Sequence, residues 1–142
     1  MKKSLADKIE QYIKVLIDRS QTNQIEIQRA ELAETFSCVP SQVTYVLATR
    51  FTERDGYVTI SRRGGKGYVR ITRCEDTASL REFTELCGFI DELVAYKAIS
   101  QAEKDLLIYL MTNAFKDFNY QQMSQVFDGI KQAIIDYVNL ND

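Results

Sequence analysis

The chain has 142 residues, 45% of them hydrophobic and 27% charged, a balance normal for a folded globular protein, so disorder is not the default reading. It has no histidine, which removes Ser-His-Asp and Cys-His nucleophilic sites, and its three cysteines, Cys38, Cys74 and Cys87, do not resemble a disulfide framework or a zinc cluster. The net charge of −2 conceals an asymmetry: residues 1–74 carry 13 Lys+Arg against 8 Asp+Glu, a balance of +5, whereas residues 75–142 carry 5 against 12, a balance of −7.

Only the first half therefore suits a polyanionic partner. No cofactor, metal or enzymatic activity is expected. No apolar run reaches the roughly 18 residues of a membrane span. Met1 to Glu10 lacks the apolar core of a secretory leader. The expectation is a cytoplasmic protein without a membrane partner.

The first helix is predicted to start at Ser4, with Asp7 in a capping-box position. Leu5, Ile9, Tyr12, Ile13 and Leu16 form its apolar stripe. Thr22 and Asn23 break it, and Ile25-Glu26-Ile27 alternates as a very short strand would. A second, short helix runs from Arg29 to about Phe36, with Ala30, Leu32, Ala33 and Phe36 inward. Ser37-Cys38-Val39 is a tight connection. Pro40 then opens a third helix reaching Arg50, where proline is best tolerated.

Val43, Val46 and Leu47 form the inner face of that third helix. At about 100° per residue, Ser41, Tyr45 and Ala48 lie on the opposite face, flanked by Gln42 and Thr49 on one side and Thr44 on the other. Two short helices joined by so few residues resemble a helix-turn-helix. The outer face supports that reading, because Pro40 to Thr49 contains no charged residue. Such uncharged polar groups hydrogen-bond base edges without a large desolvation cost.

A hairpin follows. Val58 and Ile60 on one strand, and Val69 and Ile71 on the other, are expected to face the helices. Between the strands lies Arg62-Arg63-Gly64-Gly65-Lys66-Gly67. Its glycines permit close backbone approach, and its three cations attract phosphate or a narrow minor groove. The loop joins two strands rather than opening a helix, which argues against a nucleotide-phosphate loop.

Periodicity changes at Cys74-Glu75-Asp76-Thr77, the expected junction between domains at 1–74 and 77–142. Leu80, Phe83, Cys87, Ile90 and Val94 mark a fourth helix. A fifth is expected from Gln101 to Lys116, with Leu106, Leu107, Leu110, Met111 and Phe115. A sixth is expected from about Tyr120 to Leu140. Ser79 with Glu82, and Ser100 with Glu103, fit capping boxes. Three helices in so short a span bury little core alone, so pairing of two copies into a bundle is expected. A self-contained bundle and an effector pocket are the alternatives.

The expected fold class is mainly α: an α+β winged helix-turn-helix with a small antiparallel hairpin, then an all-α dimerisation and regulatory domain. Ser41, Gln42, Thr44, Tyr45 and Thr49 are candidates for base edges. Arg29, Arg50, Arg62, Arg63 and Lys66 are candidates for phosphates. Two functions of other kinds compete with DNA binding. One is a protein-interaction module working through the acidic half. The other is a metabolite-responsive winged-helix regulator.

Cys38-Val39-Pro40-Ser41-Gln42-Val43, Thr49-Arg50-Phe51-Thr52, Gly56-Tyr57-Val58 and Arg63-Gly64-Gly65-Lys66-Gly67-Tyr68-Val69-Arg70-Ile71 together resemble the CtsR family of class three stress gene repressors. The resemblance covers roughly residues 5–74. It implies a homodimeric repressor of heat-shock genes, including those of the Clp protease and chaperone system. It implies a tandem-repeat double-stranded DNA operator and release on heat shock. It also implies a wing tip that senses temperature through consecutive glycines. Gly64, Gly65 and Gly67 are the matching positions, with Lys66 interrupting the run. Finally, it implies inactivation by a protein-arginine kinase at Arg63, with Arg62 adjacent, and a link to the Clp machinery.

Overall fold

The computed structural model describes residues 3–61 and 67–140. The chain divides into two units, Met1–Glu75 and Asp76–Asp142. Among the described residues no helix is long and apolar enough to cross a membrane.

In the first unit, α1 spans Leu5–Arg19. Ser4 and Asp7 close a reciprocal capping box, each backbone N–H donating to the other's side chain. Ile9, Ile13 and Ile17 recur every fourth residue and are fully buried. Ile17 therefore belongs to the buried stripe, while Leu16 is half-buried and Tyr12 lies at its exposed edge, stacked edge-on against Phe36 at 5.4 Å. Asn23 turns the chain with φ +55° into β1, Gln24–Gln28.

Helix α2 spans Arg29–Thr35 and buries Leu32 and Ala33, whereas Ala30, expected inward, is exposed. Ser37 takes φ +52°, and the Cys38 N–H donates back to the Ala33 carbonyl at 2.8 Å. Helix α3, Pro40–Arg50, follows at once and buries Val43, Val46 and Leu47. Phe51 seals its end in an edge-on contact with Tyr57, 4.9 Å between centroids. A 3-10 turn at Glu53–Asp55 leads to Gly56, whose φ of +91° is a left-handed conformation that favours glycine.

Strands β2, Tyr57–Ser61, and β3, Tyr68–Arg73, complete a three-stranded antiparallel sheet of order β1-β3-β2. The register pairs Thr59 with Ile71 and Ser61 with Val69, and also Ile25 with Ile71 and Ile27 with Val69. Directly opposed residues share a face. The core face of β2 is thus Tyr57, Thr59 and Ser61. Val58 and Ile60, expected to face the helices, lie on the other face opposite Thr72 and Arg70, where Val58 is nevertheless buried. The Tyr57 ring decides the phase: it joins the core cluster with Phe51, Val69 and Ile71, and it carries more apolar surface than Val58 offers.

In the second unit, α4 spans Thr77–Ala95, α5 Gln101–Ala114 and α6 Tyr120–Leu140. Helix α4 is capped by Asp76, which accepts from the Ala78 N–H at 2.9 Å. Ser79, expected to cap, is instead buried inside the first turn, its hydroxyl on Asp76. Ser100 and Glu103 do form the expected box at the start of α5. The core joins Leu80, Phe83, Leu86 and Ile90 to Met111, Met123, Phe127 and Ile134. Phe115 stacks between Phe83 and Phe127 at 5.5 and 5.8 Å. Leu106 and Leu110, apolar residues of the predicted fifth helix, stand exposed on α5.

Candidate nucleic-acid interface

Helix α3 is the second helix of the pair that turns at Ser37, and its inner residues lock it against α1 and α2. That leaves one face outward. Ser41, Gln42, Thr44, Tyr45, Ala48 and Thr49 are all exposed on it, Tyr45 to 64%. Thr44 donates its hydroxyl to the Pro40 carbonyl at 3.2 Å, and Thr49 donates to the Tyr45 carbonyl at 2.8 Å. Their oxygens remain as acceptors. Gln42 accepts the Val39 N–H on Oε1 at 3.3 Å, which leaves the amide NH2 as the end that can donate to a partner.

Arg29 opens α2 at the root of the hairpin. Its Nη2 donates to Ser61 Oγ at 2.5 Å and its Nη1 to the Gly67 carbonyl at 3.4 Å. Its Nε is buried with no acceptor among the described residues. Arg29, Ser61 and Thr59 line a cleft of about 340 Å³ whose other wall is α3, through Thr44, Leu47 and Ala48. Outer helix face and hairpin root therefore border one depression. Gly67 has φ +77°, the left-handed region suited to glycine. Arg62, Arg63, Gly64, Gly65 and Lys66 lie outside the described residues.

Arg50 sits differently from the outward α3 residues. It is half-exposed, and its Nη1 donates to Asp7 Oδ1 at 2.8 Å and Glu10 Oε1 at 2.7 Å. Glu10 also holds Lys14 at 2.6 Å. The Arg50 guanidinium, with the cap at Ser4, holds the Asp7 carboxyl below its usual range. Lys14 and then Arg50 do the same for Glu10. Arg50 is raised in turn by both acids. These ion pairs brace the end of α3 against α1. The sequence pattern marks Asp7 only as a cap and carries no sign of either acid as a partner of Arg50.

Other cations of this unit are also tied within it. Arg70 is buried and donates Nε and Nη2 to Glu26 Oε1 at 3.0 and 2.8 Å, across the β1–β3 register. Arg73 pairs with Asp18 and donates to Asn23 Oδ1 at 2.7 Å. An uncharged, hydrogen-bonding helix face beside the root of a basic hairpin segment is suited to a groove-bearing polyanion.

The family model described as the CtsR N-terminal HTH domain matches residues 4–75. The chain is similar to the transcriptional regulator CtsR of Staphylococcus aureus strains USA300 and NCTC 8325. Each is 44% identical over 109 residues, 74% of this chain and 71% of the relative. Among solved structures it is similar to CtsR crystallised in complex with a 26-base-pair DNA duplex. That likeness has a TM-score of 0.51 and 29% identity, and it covers 95% of this chain and 98% of that one.

Proposed function

The chain belongs to the CtsR family, and from that premise we propose that it is a DNA-binding transcriptional repressor. The observation that carries this reading is the exposed, uncharged outer face of α3, standing as the second helix of a helix-turn-helix. In this reading α3 enters a major groove and presents Ser41, Gln42, Thr44, Tyr45 and Thr49 to base edges. Arg62, Arg63 and Lys66 meet phosphates, with the glycine-rich wing over the adjacent minor groove. The family is one of transcriptional regulators, which is not an enzyme class.

The finer properties in this proposal are a homodimer, a tandem-repeat operator before heat-shock genes of the Clp type, and action in the cytoplasm. Heat release has a physical basis in the wing's composition. A segment rich in glycine loses more conformational freedom when ordered on DNA, so its contribution weakens as temperature rises. Arginine phosphorylation at Arg63 or Arg62 replaces a cation by an anion beside a DNA phosphate, which reverses attraction to repulsion. Footprinting of genomic fragments at growth and heat-shock temperatures tests the reading. It expects a repeated protected site at the lower temperature that is lost at the higher. Uniform or absent protection at both temperatures contradicts it.

A further inference from the structure

We propose that Arg29 is a positioning residue, which ties the root of the hairpin to the helix-turn-helix so that β2, β3 and α3 meet DNA as one rigid body. Arg29 is the first residue of α2. Its backbone N–H donates to the Gly67 carbonyl at 3.3 Å, and its Nη1 reaches the same oxygen at 3.4 Å. Its Nη2 donates to Ser61 Oγ at 2.5 Å. Ser61 ends β2 and Gly67 immediately precedes β3, so one residue grips both stems of the hairpin.

The Nη1–Nη2 edge of the guanidinium faces the hairpin root. Arginine captures a phosphate in bidentate fashion through two adjacent N–H groups. The Nη1–Nη2 edge is spent on Gly67 and Ser61, and the Nε on the other edge is buried. Binding a phosphate in that way requires dismantling the clamp. The left-handed backbone of Gly67 aims its carbonyl at Arg29 in a conformation that a side chain would strain. Lysine cannot replace this arrangement, since an ammonium is a point charge without a planar fork.

The inference rests on the DNA-binding reading and adds to it a residue that serves affinity through geometry rather than charge. The test compares wild type with Ser61→Ala, Arg29→Lys, Arg29→Ala and the Ser61→Ala/Arg29→Ala double variant. Ser61→Ala removes one grip and no charge. Binding to the footprinted fragment is measured from about 50 to 200 mM salt, with thermal unfolding and amide exchange at Arg29 recorded for each protein.

Ser61→Ala and Arg29→Lys are each expected to weaken binding about fivefold or more, with the wild-type salt slope and near wild-type melting. Exchange at the Arg29 amide is expected to accelerate in Ser61→Ala. The double variant is expected to bind no worse than Arg29→Ala alone, because both act on one clamp. Wild-type binding by Arg29→Lys and Ser61→Ala, with a salt slope lowered by about one in Arg29→Ala, would make Arg29 a simple phosphate contact and overturn the proposal. If Arg29→Ala does not fold, Ser61→Ala and Arg29→Lys decide the matter. If no protein binds DNA, the DNA reading fails, while exchange at Arg29 still reports whether the clamp exists.

Discussion

Individual side chains divide into those whose place follows from helical phase and those whose place depends on distant partners. Ser41, Gln42, Thr44, Tyr45 and Thr49 face outward as 100° per residue requires, because Val43, Val46 and Leu47 fix the opposite side of α3 in the core. Arg50 is the other kind. Its acids lie 43 and 40 residues upstream on a different helix, and no local pattern announces that pairing. Tyr45→Ala should change the unfolding free energy in urea by no more than about 0.5 kcal/mol. The same variant should weaken binding to the preferred site by about 1–3 kcal/mol in an anisotropy titration; unchanged binding would remove Tyr45 from the interface. The Asp7–Arg50–Glu10 brace predicts an acid sensitivity whose sign is fixed. Both carboxyls are depressed in the folded state, so their stabilisation is complete above their usual values of 3.8 and 4.5 and is lost as pH falls below them. Melting followed from pH 6 to pH 2 should fall over that acid range by a smaller amount in Arg50→Met than in wild type. Parallel curves would mean the brace is not formed in solution.

Among the elements, helices were the most legible and strand phase the least. The Ser4–Asp7 and Ser100–Glu103 boxes stand where their spacing puts them. Ser79–Glu82 has the same spacing, yet Asp76 starts the helix three residues earlier, so a second good cap upstream defeats the pattern. In β2 the alternation Tyr57-Val58-Thr59-Ile60 is apolar in both phases. The sequence has no local feature to choose between them, and packing of Tyr57 on Phe51 decides. The turn before β2 is also specified by a single residue. A Cβ at Gly56 meets the Cys74 carbonyl oxygen at 3.4 Å, and the φ of +91° strains any L side chain. Gly56→Ala should cost about 1–2 kcal/mol of stability in urea unfolding; a neutral result would show that the turn relaxes freely. The wing makes a separate prediction. Replacing Arg62 and Arg63 together by glutamate should weaken operator binding by at least about tenfold and flatten its salt dependence. Intact operator binding by that variant would remove both arginines from the DNA interface.

Taken whole, the molecule joins a basic unit to an acidic one, a division visible in the charge counts alone. What the counts do not show is how the helical unit uses its apolar surface. Leu106 and Leu110, one turn apart on α5, are 58% and 54% exposed. If two copies pair through this surface, sedimentation of the 16.4 kDa chain gives twice that mass, and Leu106→Glu with Leu110→Glu gives the single mass together with weaker operator binding through lost bivalency. A dimeric double variant would place the contact elsewhere. The central claim is that the first unit recognises a DNA sequence through α3 and the wing. Its most direct test is the affinity of the full chain for its footprinted fragment and for a scrambled fragment of equal length, each titrated across salt. Tighter binding to the former is expected at every concentration, with, for about six to ten phosphate contacts, a loss of about 10³–10⁵ in affinity between 50 and 200 mM salt. Equal affinity for the two fragments, or no binding to either at the lowest salt, contradicts it.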